Sequence, residues 1–253
     1  MGLHKDFPTS PFTELDPSIR WFPADEDLRE KGYEKLLPPL VTKLREDVKT
    51  WRNSNYVGAS DTTMSLLNYW FLTKHPKPTH DNPDECFEYY FAQRESVETI
   101  VYLYEVVGCR NPQDLLKYDT QNAVVISMFY ETWFRVVAKQ ATGTGKTKVL
   151  SLLLTWSYFH KTYEEGSDLS RNILLITPNI IVLDRIRTDF DGLKIFFEDP
   201  ILPPDGYDDR NWHSDFQLTL HIQDEIGNIN PKGNIFLTNI HRVYDKNHDK
   251  SSI

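Results

Sequence analysis

The first part of the chain places apolar residues at the spacing of α-helices. In residues 28–53, 60–71 and 91–107, apolar side chains recur every three or four positions, which puts them on one face of a helix. A proline-rich segment at 75–83 interrupts this pattern, because proline does not continue a helix. We therefore predict that residues 1–82 form an extended N-terminal arm and a mostly helical region.

The second part of the chain changes to short apolar runs between turns. Residues 172–176 form a continuous apolar run that is typical of a central parallel strand, 216–222 alternate as a half-buried strand does, and 234–238 form a further strand. Residues 135–139 lead into a glycine-containing loop and are predicted to be the strand before it. Strands that alternate with helices predict a second domain over residues 83–253, with a parallel sheet flanked by helices.

The glycine-containing loop, residues 140–147, has the sequence Gln-Ala-Thr-Gly-Thr-Gly-Lys-Thr. Its glycines permit a tight turn whose backbone amides point at an anion, and the helix after it adds free N–H groups and a positive dipole end. Lys146 would reach the β- and γ-phosphates of a nucleotide as the catalytic charge, and the Thr147 hydroxyl would be a Mg²⁺ ligand. A glycine turn before a buried helix is the alternative, but it leaves the Gly-Lys-Thr triplet unexplained. The candidate nucleotide ligands are Thr142, Gly143, Thr144, Gly145, Lys146 and Thr147.

Gln140 occupies the position at which such loops usually begin with glycine. Helicase-type loops often relax this position, so the departure favours a helicase over a small P-loop kinase. A kinase would also need a lid for its phosphate acceptor, and no such segment is evident in the sequence.

Composition limits the remaining classes of function. The formal net charge of −9 at pH 7 argues against a chain dominated by nonspecific nucleic-acid affinity, although a local basic groove is compatible with it. Cys86 and Cys109 are the only cysteines, which is typical of a reducing compartment. No signal peptide or membrane-spanning segment is predicted, so we expect a cytoplasmic protein.

Three segments, 141–147, 175–179 and 237–239, resemble motifs I, Ia and Ib of helicase superfamily 2, in the same order. The likeness is closest to the DEAD/DEAH-like Res subunit of type III restriction enzymes and covers most of residues 85–245. It implies an α/β fold with an incomplete RecA-like P-loop domain, and a parent protein that uses ATP and Mg²⁺ to move on DNA. It also implies a second RecA-like domain in the parent chain and a methyltransferase subunit as a partner.

The resemblance assigns roles to further residues. The segment 91–99 resembles the glutamine motif, so Gln93 would read the adenine edge with its amide donor and acceptor. Gln121 is the alternative adenine reader, and Gln93 would then be an exposed helix residue. The segments after two strands would contact nucleic-acid phosphates, although ordinary helix capping by their asparagines is an alternative. The candidate nucleic-acid ligands are Pro178, Asn179, Thr238 and Asn239.

An acidic motif that holds Mg²⁺ through water and activates the attacking water is not identified. The pair Asp224-Glu225 precedes the segment 237–239, whereas the superfamily places its acidic motif after it. We therefore expect this chain to bind nucleotide weakly and not to hydrolyse it alone. A non-catalytic binding module is the second hypothesis.

Overall fold

The computed structural model describes four ranges of the chain, namely residues 10–15, 39–125, 134–223 and 225–243. The predictions for most of the N-terminal arm, for residues 28–38 and for Asp224 lie outside them. Contacts divide the chain into a first unit, Met1–Leu67 with Pro76–Val149, and a second unit, Asn68–His75 with Leu150–Ile253. The predicted division into residues 1–82 and 83–253 stays a prediction.

The described residues form both helices and strands, which confirms the predicted α/β class. The α-helices there are α1 (Val41–Asn53), α2 (Asp61–Phe71), α3 (Phe91–Val101), α4 (Lys146–Tyr163), α5 (Ile180–Phe190), α6 (Lys194–Glu198) and α7 (Trp212–Asp215). The strands there are β1 (His75–Pro76), β2 (Cys86–Phe87), β3 (Asn172–Thr177), β4 (Thr219–Ile222) and β5 (Asn234–Asn239). Within the same residues, no helix has the length and apolar character that crossing a membrane requires.

The helices predicted before the phosphate loop form close to the expected positions. Val48 and Trp51 are buried on α1, as its apolar spacing predicts. Ser60 precedes α2, and its hydroxyl accepts a hydrogen bond from the Thr63 N–H at 3.3 Å, which satisfies a donor that the helix itself leaves open. A π-helical turn, Tyr102–Val106, continues α3.

A buried carboxylate, Glu98 on α3, joins this helix to α1 in the first unit. Its oxygens accept hydrogen bonds from Arg52 at 2.5 and 2.8 Å, from Arg94 at 2.8 Å and from the Tyr56 hydroxyl at 2.7 Å. Burial, with the neighbouring Glu98 charge, raises the pKa of Tyr56 well above its ordinary value, so this hydroxyl keeps the proton that it donates. The network fixes α3 against α1.

The second unit contains a parallel sheet with the strand order β3–β5–β4. Its parallel pairing confirms the predicted arrangement, and α5 packs against β5 and β3. The prediction that β3 is a central strand is wrong for the described sheet, because β5 occupies the centre. Leu174 and Ile176 of β3 are 59% and 45% exposed, so an apolar run alone did not establish burial on both faces.

An aromatic core lies beside the sheet in the second unit. The rings of Phe159 and Trp212 meet edge to face at 4.8 Å, and Phe216 packs on Phe159. The Tyr158 hydroxyl donates to the backbone oxygen of Asp215 at 2.7 Å. Phe216 belongs to this core, and β4 begins only at Thr219, so the strand predicted over 216–222 is shorter than expected.

The prediction of a strand immediately before the phosphate loop is wrong for the described residues. Residues 134–140 have no regular secondary structure, and the Val137 side chain is 86% exposed. Residues 135–139 instead line a cavity of 340 Å³ with α1 and α3. The position of this segment directly before the loop predicted a strand but did not identify a neighbouring strand, and a strand forms only where its N–H and C=O groups find such a neighbour.

Candidate nucleotide-binding site

The phosphate loop adopts a conformation that requires its two glycines. Gly143 has a φ of +84° and Gly145 a φ of +73°, in the left-handed region that side chains with a Cβ disfavour. A Cβ on Gly145 would also overlap the Nε2 atom of Gln93. α4 begins directly after this turn, at Lys146, so the free N–H groups of the helix start lie at the loop.

Lys146 and Thr144 close the loop on one backbone oxygen. The Lys146 Nζ atom donates to the Ala141 oxygen at 2.7 Å, and the Thr144 hydroxyl donates to the same atom at 2.8 Å. The Lys146 side chain is exposed and Thr147 is half-buried as the second residue of α4. The exposed ammonium therefore lies at the loop and can exchange a backbone oxygen for a phosphate oxygen.

Gln93 is buried, with 5% of its surface exposed, and both ends of its amide are engaged. Its Oε1 atom accepts from the Tyr90 N–H at 3.0 Å, and its Nε2 atom donates to the Thr144 backbone oxygen at 2.9 Å. Contact with an adenine edge would require these bonds to break, and that role stays a prediction. Gln121, the alternative reader, is exposed in a turn after the 3-10 helix Pro112–Tyr118.

Gln140, noted in the sequence only as a departure from glycine, also binds α3. Its Nε2 atom donates to the Ala92 backbone oxygen at 3.1 Å and to the Ser96 hydroxyl at 2.7 Å. Only a side chain with a donor at this distance makes these bonds, and glycine has none. The unusual residue in the motif was the available signal, but its role depends on the position of α3.

A cleft of 490 Å³ adjoins the phosphate loop within the first unit. The loop glycines and Lys148 line one part of it, and the aromatic rings of Tyr90, Phe12 and Phe87 line another. The rings of Phe12 and Tyr90 meet at 5.3 Å. The volume lies within the range of about 300–1,000 Å³ that is usual for small-molecule sites, in which apolar walls carry a few polar groups. Glu85 and Glu88 also line the cleft, and their charge disfavours phosphates beside them. The loop and Lys148 therefore fit the phosphates, and the aromatic faces fit a base.

The two segments predicted to contact nucleic acid lie side by side at the C-terminal ends of the neighbouring strands β3 and β5. In the parallel register, Ile176 is opposite Thr238 and Thr177 is opposite Asn239. The Thr177 hydroxyl lies 3.1 Å from the Asn179 backbone oxygen and 3.3 Å from that of Thr238. The fold thus brings together segments that are far apart in the sequence.

The two asparagines of these segments differ in their local role. The Asn179 side chain accepts from the Val182 N–H at 2.9 Å, so the helix-capping alternative is confirmed for this residue. Asn239 is buried, makes no such cap, and within the described ranges its Oδ1 atom has no hydrogen-bond partner. Pro178 is exposed and Thr238 half-buried. Contact of these residues with nucleic acid stays a prediction.

Comparison with known proteins identifies one family. Residues 90–252 match the family model described as type III restriction enzyme, res subunit. The match covers more than half of the chain and includes the phosphate loop and both strand-end segments. Neither the curated proteins nor the solved structures contain a match to the chain.

Proposed function

Because the chain belongs to the type III restriction enzyme res subunit family, we propose that it binds ATP at residues 140–147 and DNA at the C-terminal ends of strands β3 and β5. The family is a RecA-like, helicase-type P-loop family of superfamily 2, so nucleotide use follows from membership. The observation that carries the assignment of the loop is its geometry, with Gly143 and Gly145 at positive φ immediately before α4.

In this proposal the chain holds the triphosphate with backbone and side-chain groups. The N–H groups at the start of α4 face the phosphates, and Lys146 places a positive charge on them. The Thr147 hydroxyl is the candidate ligand of Mg²⁺, which when bound neutralises charge on the β- and γ-phosphates. The aromatic cleft beside the loop receives the base.

The strand-end segments provide the candidate DNA contacts. Thr238 has a hydroxyl that suits phosphate oxygens, and contacts of this kind carry no sequence preference. The proposed activity of the complete protein is ATP-driven movement on DNA, with a second RecA-like domain and a methyltransferase subunit as partners. The candidate contact residues are Pro178, Asn179, Thr238 and Asn239.

Titration of a labelled ATP analogue with Mg²⁺, and separately of labelled single-stranded DNA, tests the proposal. We expect saturable ATP binding, and DNA binding that weakens as salt increases. Thr238→Val should lower DNA affinity roughly fivefold through loss of one hydrogen bond, whereas the exposed control Thr188→Val should not. DNA affinity without ATP affinity would contradict the proposal and favour a non-catalytic binding module.

A further inference from the structure

We propose that Gln93 and Gln140 are positioning residues that brace the phosphate loop against α3. The inference rests on the proposed nucleotide binding and makes it more specific. Gln93 then acts on affinity through the phosphates, and not by reading the adenine edge.

The two glutamines form reciprocal connections between the loop and α3. Gln93 extends from the first turn of α3 to the Thr144 oxygen inside the loop. Gln140 extends from the start of the loop back to Ala92 and Ser96 on α3. The loop is therefore fixed at its beginning and near its middle by side chains from opposite directions.

The loop needs such support because its glycines do not fix its shape. Glycine populates positive and negative φ with similar ease, so the backbone around Gly143 and Gly145 has several accessible conformations. Only the loop conformation that directs the amides at the phosphates binds the nucleotide. The apparent affinity for the nucleotide therefore falls when the population of this conformation falls. The part-buried hydrogen bond of Gln93 to Thr144 is partly shielded from competing water and selects one conformation.

The helix that carries the brace is itself fixed. Glu98, in the same helix, is held by Arg52 and Arg94 in the buried network with α1. The Gln93 amide also accepts from the Tyr90 N–H at the start of α3, which limits its own rotation. Both glutamines therefore connect the loop to a rigid helix.

Inorganic tripolyphosphate separates this role from base reading, because it has phosphates but no adenine. We would measure affinities of the whole chain for Mg²⁺-tripolyphosphate and Mg²⁺-ATP in Gln93→Met and Gln140→Met, which keep side-chain length but remove the amide. Gln93→Met loses the bond from the Tyr90 N–H together with the bond to Thr144. Each substitution should lower the affinities for both ligands by the same factor, roughly three- to tenfold for the lost hydrogen bonds. Gln113→Met, at an exposed glutamine of the same unit, is the matched control and should change neither affinity. Unfolding midpoints establish that each variant is folded.

The result that overturns the inference is a Gln93 variant that loses ATP affinity but binds tripolyphosphate as the wild type does. If Gln93→Met does not fold, Gln140→Met becomes the test of the inference. An unchanged tripolyphosphate affinity of Gln140→Met would contradict the brace. A wild-type chain that binds neither ligand would refute the proposed function, and the brace with it. These outcomes are distinct from one another.

Discussion

Replacing Lys146 by alanine is expected to weaken Mg²⁺-ATP binding by roughly 10- to 150-fold, the range for loss of a hydrogen bond to a charged group. The Lys146 ammonium is exposed and lies at the loop, 2.7 Å from the Ala141 oxygen. Its loss removes the positive side chain that the proposal places on the phosphates. Equilibrium titration of the whole chain measures the change.

Lys232→Ala is the matched control for this experiment. It removes the same charge from an exposed lysine in the second unit, and ATP affinity should stay at the wild-type value. Lys146→Arg keeps the charge but presents a wider, planar group, so it should retain only part of the affinity. Wild-type ATP binding by Lys146→Ala would show that the loop is not the phosphate site.

Glu98→Ala should lower the free energy of unfolding by about 3–5 kcal/mol, the usual cost of removing one partner from a buried ion pair. Glu98 is fully buried, and Arg52 is nearly so. Alanine would leave both guanidinium groups and the Tyr56 hydroxyl without their shared acceptor. Urea unfolding followed by circular dichroism measures this loss.

Two further variants separate charge from packing. Glu98→Gln keeps the shape and one acceptor oxygen but removes the charge, so its loss of stability should lie between the wild type and alanine. Asp47→Ala removes the half-exposed pair with Lys43 on α1, and pairs that solvent reaches contribute little, so the unfolding midpoint should change far less than in Glu98→Ala. Equal stability of Glu98→Ala and the wild type would refute the structural role of this network.

The helices and the parallel pairing of the strands were predictable from local pattern. Val48 and Trp51 lie on the buried face of α1 because the helical period placed them there. The Gly-Lys-Thr triplet predicted the phosphate loop, and alternation of strands with helices predicted a parallel sheet. Residues 135–139 were wrongly predicted as a strand because a position directly before the loop does not specify which strand they pair with.

The support of the phosphate loop was not predictable from the sequence. Gln93 and Thr144 are 51 positions apart, and no periodicity relates them. Gln140 was visible as a residue that departs from the usual loop, but its function depends on where Ser96 of α3 lies. Side-chain bonds between distant segments follow from tertiary packing, which local patterns do not determine.

Hydrogen exchange of the whole chain with and without Mg²⁺-ATP tests the central claim most directly, because it locates the bound phosphates on the backbone. If residues 140–147 bind the triphosphate, amides of this loop and of the first turn of α4 will exchange more slowly at saturating ATP. Gln93 connects to the loop, so amides at the start of α3 should slow with them. Unchanged exchange in the loop, with slower exchange confined to other segments, would contradict the assignment of this loop as the ATP site.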